Sequence, residues 1–282
     1  MSEAAAIVTP QDENGGPLLH EFYEREGRLP HITDEIKPWE YRGWLVPYVQ
    51  LCEAHPGISP RYDYVARTLE AGQLLDEPIP ECDFVGENST RAKDGMKMLE
   101  QMVKIAEYRS GYSRSIEAIA AWLGWALGVH NEPAKFEADE NEKLYRLFDV
   151  SKWLLAPTDY LGEYMALSSY RKAGGFFPTP MSICTMMARM TFGDGDQRIK
   201  TAHDCAVGTG RLLLAASNYS LRLYGQDVNW LCCLATKINL ALFAPWSHIP
   251  ESFYPAPEPR PEIEIPTTND VRQIEQLPLF AL

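Results

Sequence analysis

The residues with the clearest chemical signature are residues 204–210 (DCAVGTG). The preceding residues 199–203 (IKTAH) predict a short strand, and residues 211–216 (RLLLAA) predict a helix. Gly208 and Gly210 would let a ligand approach the backbone of the turn without meeting a Cβ atom. Strand, glycine turn and helix form the first unit of a nucleotide-binding α/β sheet. A tight turn that binds no ligand has the same pattern, so both interpretations stay open here.

A second acidic position strengthens the nucleotide-binding interpretation. Residues 223–226 (LYGQ) predict another strand, which ends at Asp227, and residues 230–243 predict the helix that follows. Asp227 comes about 20 residues after the glycines, where a carboxylate can accept hydrogen bonds from ribose hydroxyls. The alternative role for Asp227 is an N-cap of the following helix, and the two roles are compatible.

Three features argue against a dinucleotide as the ligand. Leu213 occupies the position of a third glycine, an acid (Asp204) precedes the glycines, and no second nucleotide-binding half follows. The sequence also contains no G-x-x-x-x-G-K-[ST], so a P-loop kinase is unsupported.

Taken together, three segments resemble adenine-N6 DNA methyltransferases, and most closely the modification subunit of type I restriction–modification systems. Residues 175–180 (GFFPTP) look like the family's G-x-F-x-T-P element, residues 204–210 like its S-adenosylmethionine loop, and residues 225–229 (GQDVN) with 239–242 (NLAL) like its ribose-binding unit. Residues 159–164 (DYLGEY) are similar to the helix that leads into the family's catalytic domain. The resemblance covers residues 159–243.

The resemblance implies a fold class, a cofactor and a binding site. The expected fold is α/β, with a helical N-terminal domain followed by a partial Rossmann-like methyltransferase sheet. The expected cofactor is S-adenosylmethionine, and no metal ligands are expected. The residues that the resemblance assigns to the cofactor are Phe177, Thr179, Pro180, Asp204, Ala206, Gly208, Gly210 and Asp227.

The family's catalytic tetrapeptide, Asn/Asp/Ser-Pro-Pro-aromatic, has no counterpart in the sequence. In the family it binds the target amine and stacks an adenine that has been turned out of the duplex. Residues 243–246 (FAPW) are a poor match, with one proline and no polar first residue. We therefore expect no catalytic residue in this chain, and we expect cofactor binding without autonomous methyl transfer.

The small number of residues after Asp227 in the sequence favours a partial sheet. Residues 262–265 (EIEI) predict a third strand, with Asn269 and Asp270 at its end, and the sequence leaves no room for the family's later strands. A parallel sheet that stops early exposes an edge and apolar faces. We therefore expect a protein partner or self-association to cover the sheet.

Charge is distributed unevenly along the chain. The formal net charge of −13 divides into −12 for residues 1–150 and −1 for residues 151–282. The N-terminal half is expected to repel nucleic acid unless it has a local basic face. DNA contact is therefore more plausible through the C-terminal half or a partner subunit.

Other sequence features point to a cytoplasmic protein. The six cysteines form no C-x-x-C pair, so neither a zinc site nor a disulfide framework is expected, and the setting is expected to be reducing. Residues 1–10 lack a signal-peptide pattern. The longest apolar run, residues 118–129, falls short of the about 20 residues that a membrane span requires.

Four regions are expected along the chain. Residues 1–30 are a flexible arm, residues 31–158 a helical domain, residues 159–270 the partial methyltransferase-like domain, and residues 245–282 include a proline-rich tail. In the helical domain, Ser59, Pro60 and Gly72 are expected to cap, start and stop one helix, while residues 115–129 form a central buried helix. Residues from Gly174 onward are expected to form strands and tight turns.

Three functional hypotheses remain from the sequence. The first is a methyltransferase-like protein that a second chain completes. The second is a pseudo-enzyme that acts as a structural or regulatory module in a restriction–modification or mobile-element complex. The third is a helical interaction protein with a vestigial α/β part. The six histidines show no triad or metal-ligand spacing, so a hydrolase has little support.

Overall fold

The computed structural model describes residues 37–86, 89–110, 114–168 and 176–248. The predicted arm, the third strand at 262–265, Gly175 and most of the proline-rich tail lie outside these residues. The elements are α1 (Val46–Cys52), α2 (Arg61–Ala71), α3 (Lys93–Ser110), α4 (Ser115–Ala126), α5 (Ala138–Leu147), α6 (Val150–Leu155), α7 (Tyr160–Leu167), α8 (Met181–Phe192), β1 (Thr201–Asp204), α9 (Arg211–Ala216), β2 (Arg222–Gly225) and α10 (Trp230–Phe243). Short 3₁₀ turns span Pro38–Glu40, Thr90–Ala92 and Pro245–His248.

The N-terminal half is a set of packed helices around α4. As predicted, α4 is buried on nearly all sides, because its sequence is apolar at almost every position. The helix α3 packs against it through Met98 and Met102, which lie four residues apart and therefore on one face. A tryptophan-rich cluster fills the space between helices, with the rings of Trp44 and Trp122 edge to face at 5.5 Å.

The start of α2 differs from the prediction. Ser59 does not cap this helix; its hydroxyl donates a hydrogen bond to the Pro80 carbonyl at 3.3 Å. The carboxylate of Glu53 accepts hydrogen bonds from the backbone N–H groups of Tyr62 and Asp63 instead, at 2.7 and 2.9 Å. A tertiary contact thus replaces the expected local cap. The predicted stop is confirmed, since Gly72 ends α2 in the left-handed conformation with φ of 64°.

The capping carboxylate of Glu53 gives a pH-dependent prediction. Burial raises the pKa of Glu53 from 4.5 to about 7, although the backbone N–H groups of Tyr62, Asp63 and Arg61 act in the opposite direction and lower it. Because the folded pKa exceeds the unfolded value, the stability that this group contributes is present below about pH 4.5 and is lost as the pH rises through about 7. Glu53→Gln resembles the protonated acid, so the variant should lose this dependence.

The measurement is urea unfolding of wild type and Glu53→Gln between about pH 5 and about pH 8. The free energy of unfolding of the variant minus that of wild type should increase by on the order of 2 kcal/mol across this range, with partial solvent screening included. Glu70→Gln, on the exposed side of α2, is the control and should follow wild type. Parallel curves for wild type and Glu53→Gln would contradict the prediction.

The strands β1 and β2 form a parallel pair in the C-terminal half. Their register runs from Thr201 opposite Arg222 to Asp204 opposite Gly225, and α9 connects them. Both strands lie within two residues of their predicted positions, and helices α9 and α10 are confirmed. The described structure is therefore a helix-rich chain with a two-stranded parallel sheet, which agrees with an α/β class.

The helix α8 was not predicted. The segment after Gly175 was expected to contain strands and tight turns, but residues Met181–Phe192 are helical and pack on α9. The prediction was wrong because the apolar residues of this segment lie all round the helix. Met181, Cys184, Ala188 and Phe192 are buried on one side, while the other side exposes apolar residues, namely Ile183, Met186, Met187 and Met190.

Arg61 connects the two halves of the molecule. Its buried guanidinium donates hydrogen bonds to the Pro80 carbonyl, to Ser217 Oγ, to the Phe243 carbonyl and to Asn218 Oδ1. It also lies 5.0 Å from the centre of the Trp246 ring. The buried apolar side chains of both halves form one continuous cluster. No helix within the described ranges is both long and apolar enough to cross a membrane.

Candidate functional site

A cleft of about 370 Å³ opens at the carboxyl ends of β1 and β2. Parallel strands bring their carboxyl ends to one edge of a sheet, which is where open α/β sheets bind ligands. Six of the eight predicted cofactor residues line this cleft: Phe177, Thr179, Asp204, Ala206, Gly208 and Asp227. The other two are not among its lining residues: Pro180 immediately precedes α8 and Gly210 immediately precedes α9.

The two glycines of the loop do different things. Gly208 has φ of 55°, and a Cβ atom there would have one neighbour within 4 Å, the Phe176 ring at 3.7 Å. Its backbone therefore faces open space in the cleft. Gly210 has φ of 91°, and a Cβ there would press on Thr236 of α10 at 3.0 Å. Gly208 thus leaves room for a ligand, whereas Gly210 allows close packing between the loop and α10.

Asp227 fixes the glycine loop directly. Its Oδ2 accepts a hydrogen bond from the Gly208 N–H at 2.9 Å, and its Oδ1 accepts one from the Asn229 N–H at 2.8 Å. Asp227 is not the N-cap of α10; that role belongs to Asn229, whose side chain accepts from the Leu231 N–H at 3.0 Å. Each carboxylate oxygen has a further lone pair, so Asp227 can still accept bonds from ligand hydroxyls.

Two carboxylates face the cleft from different strands. Asp204, at the end of β1, accepts the Ala206 N–H at 3.0 Å, and Asp227 follows the end of β2. The cleft lining thus concentrates negative charge near the backbone of Gly208. This arrangement suits a ligand with hydroxyl donors or positive charge, and it disfavours a pyrophosphate on the loop.

A buried polar network supports the cleft from below. Asp159, which is 0% exposed, accepts hydrogen bonds from the Gly162 N–H and Asn239 Nδ2 through Oδ1, both at 2.9 Å. Its Oδ2 accepts from Thr209 Oγ1 and from Arg211 Nε, the latter at 2.8 Å. A single carboxylate therefore joins α7, the glycine loop, α9 and α10.

Arg211 extends this network toward the cleft. It is 5% exposed, pairs with Glu163 Oε1 at 2.9 Å, and donates to the Thr179 carbonyl at 3.2 Å. The guanidinium thus holds the Phe177–Thr179 side of the cleft against the glycine loop. At Gly162 a Cβ atom would lie 1.9 Å from Asp159 Oδ2, so only glycine fits beside this carboxylate.

Sequence reasoning did not assign roles to Asp159, Thr209, Arg211 and Asn239. Asp159 and Asn239 lie within segments that carried the resemblance, but the hydrogen-bonded partners are separated by 50 to 80 residues. Helix and strand periodicity predicts contacts only between residues that are close in sequence, so it could not predict these hydrogen bonds. The local signal was an aspartate followed by a glycine at the start of a helix, which by itself indicates only an N-cap.

The thiols in the cleft are unsuited to nucleophilic chemistry. Cys184 and Cys232 line it and are buried, and burial raises the pKa of Cys232 to about 12, with the Asp227 charge adding to the effect. Across the part of the chain that the structure describes, no group of three or more His, Cys, Asp or Glu residues is placed to hold a metal ion.

The poor match to a catalytic tetrapeptide at residues 243–246 lies in the core. Ala244 is fully buried and Trp246 is 1% exposed, with its ring against Arg61 and Tyr64. This aromatic ring is therefore not available to stack on a nucleic-acid base.

Comparison of the whole chain with protein-family models, curated proteins and solved structures finds no match.

Proposed function

We propose that this protein binds S-adenosylmethionine and is related to adenine-N6 DNA methyltransferases. The observation that carries the proposal is the convergence of six residues, selected from three separate segments of the sequence, on one cleft at the carboxyl edge of a parallel strand pair. We also propose that the two-stranded parallel sheet is part of a partial Rossmann-like methyltransferase sheet.

The cleft residues fit the functional groups of this cofactor. Asp227 would accept the ribose hydroxyls, and the open backbone at Gly208 would admit the nucleoside. Asp204 would face the ammonium group, with Phe177 and Thr179 beside the methionine end. When bound, the cofactor would supply an electrophilic methyl group on a sulfonium.

Charge and volume both support this choice of ligand. The cofactor carries a sulfonium and an ammonium group, and the two cleft carboxylates complement these positive charges. A cavity of about 370 Å³ is within the usual range for small-ligand sites. A phosphate-rich dinucleotide would place its negative charge beside Asp204 and Asp227, which makes it the poorer candidate.

Calorimetric titration with S-adenosylmethionine tests the proposal. Wild type should bind, and Asp227→Asn should weaken the affinity by about 10- to 100-fold, because the variant loses the charge that strengthens the hydroxyl hydrogen bonds. Asp194→Asn, in the exposed turn after α8, is the matched control and should leave the affinity unchanged. A ligand concentration 100 times Kd should raise the free energy of unfolding by about 2.7 kcal/mol.

Two results would contradict parts of this proposal. No detectable binding to the wild type would overturn the cofactor assignment. Equal binding to Asp227→Asn would overturn the ribose-binding role of Asp227 while leaving the cofactor in place.

A second candidate is a cofactor-binding pseudo-methyltransferase that acts as an interaction module, and the buried position of Trp246 favours it. The sequence contains no Pro-Pro pair, so we assign no catalytic residue. The exposed apolar side of α8 supports a protein partner or self-association. Incubation with radiolabelled cofactor and adenine-containing DNA distinguishes the candidates: labelled DNA supports an enzyme, and binding without transfer supports the module.

A further inference from the structure

Two cavities lie beside the cleft, between α10 and the loop after α4. The first is about 490 Å³ and is lined by Arg42, Lys237 and His248, among others. The second is about 380 Å³ and is lined by His130, Trp230 and Lys237. Val129 and Lys237 line both, so the two cavities adjoin each other. We call them together the basic groove.

The basic groove adjoins the candidate cofactor cleft. Asp227 and Val228 line both the cleft and the second cavity. Trp230, Lys237 and Ala241 recur at spacings of seven and four residues, and therefore lie along one face of α10. The rise between Trp230 and Lys237 is about 10 Å, which corresponds to about three stacked nucleotides of one strand.

The charge of the basic groove is opposite to that of the whole chain. The chain has a net charge of −13, yet no Asp or Glu is found among the described residues of the first cavity. In the second cavity Asp227 is the only carboxylate among the described lining residues, and it lies at the end shared with the cleft. Arg42 and Lys237 are exposed, and no carboxylate in the described ranges pairs with either of them. The acidic N-terminal half therefore contributes one cation to the groove, Arg42, whose guanidinium also donates a hydrogen bond to the Gly128 carbonyl at 2.5 Å.

An exposed aromatic ring lies at the cleft end of the basic groove. Trp230 is 55% exposed, although the other tryptophans of the chain are buried or partly buried. Positive side chains along a groove together with an accessible aromatic ring are the combination that binds single-stranded nucleic acid, with phosphates on the cations and bases stacked on the ring. An acidic peptide would use the cations but would gain nothing comparable from the tryptophan.

We propose that the basic groove binds a single strand of nucleic acid, with its phosphates near Arg42 and Lys237 and a base on Trp230, and directs it toward the cleft. The direction of the strand rests on the proposed cofactor role of the cleft, but its binding can be measured without the cofactor. The basic groove lies between the helical half and α10. This surface was not predicted from the sequence.

Fluorescence anisotropy with a labelled, adenine-containing 20-nucleotide single strand tests the inference on the full chain. Lys237→Ala and Arg42→Ala should each weaken binding several-fold and reduce the salt slope by about 1, because each removes one phosphate contact. Lys237→Arg should restore binding. Trp230→Ala should weaken binding by about fivefold or more. Lys97→Ala, an exposed lysine on α3 outside the groove, should leave binding unchanged.

The possible results separate this inference from the proposed function. An absence of binding at low salt, or binding that is insensitive to the Lys237, Arg42 and Trp230 variants, would overturn it. Equal binding of a polyglutamate peptide with no effect of Trp230→Ala would assign the groove to acidic peptides instead. Calorimetry with S-adenosylmethionine on the wild type gives the independent arm. An absence of cofactor binding there would overturn the proposed function, whereas strand binding that is sensitive to the Lys237, Arg42 and Trp230 variants would still support the groove.

Discussion

Asp159→Ala is expected to lower the free energy of unfolding by about 3–5 kcal/mol, measured by urea denaturation. The carboxylate is fully buried and is the charge partner of Arg211 Nε at 2.8 Å. Its removal leaves the buried guanidinium, among the described residues that pair with it, with the partly exposed Glu163 as its counter-charge. It also deprives the Gly162 N–H, Thr209 and Asn239 of an acceptor, and each buried donor left without one carries a desolvation cost.

Glu163→Gln is the matched control for this prediction. Glu163 binds the same guanidinium but lies at the edge of the network, with its side chain 14% exposed. Water and the amide oxygen can compensate there, so the loss should be about 1 kcal/mol. If Asp159→Ala destabilised the protein no more than Glu163→Gln, the buried carboxylate would not be the centre of the network.

Arg61→Met should lower the free energy of unfolding by about 3 kcal/mol. Methionine fills much of the same volume but donates no hydrogen bond to the four acceptors that Arg61 now serves in both halves of the chain. Burial lowers the pKa of Arg61 to about 10, so the side chain is charged at neutral pH, and its charge is held by carbonyl, hydroxyl and amide oxygens. Arg61→Lys should recover only part of the lost stability, because the ammonium group of lysine cannot donate hydrogen bonds in the planar geometry of the guanidinium.

Arg67→Met tests whether the effect is specific to burial. Arg67 is on the same helix, α2, but its ion pairs with Asp63 and Glu77 are solvent-exposed. Its replacement should change the midpoint of urea unfolding little. Similar midpoints for Arg61→Met and Arg67→Met would show that Arg61 does not join the two halves.

The parts of the site that are local in sequence could be predicted. The loop around Gly208 requires unusual backbone angles, and Asp227 must follow a strand, so residue type and short spacing identify them. The central position of α4 could be predicted for a similar reason, since a helix that is apolar on all sides has to be buried.

The parts that depend on distant contacts could not be predicted. Ser59 has a good capping side chain, but Glu53 lies close enough to take the same role from outside the helix. The pairing of Asp159 with Arg211 joins residues 52 positions apart, and nothing in either local sequence specifies the other. The exposed methionines of α8 obscured its helical period, because burial there is decided by α9.

The distribution of the seven tryptophans gives the protein an optical property. Trp39, Trp44, Trp122, Trp153 and Trp246 are buried, Trp125 is half-buried, and Trp230 alone is largely open to solvent. The red edge of the intrinsic emission spectrum therefore belongs mainly to one indole, and acrylamide should quench that component first. This indole lies close to the place where the cleft and the basic groove meet. A ligand at either site would therefore change its emission wavelength and its quenching by acrylamide, so that binding could be followed without a label.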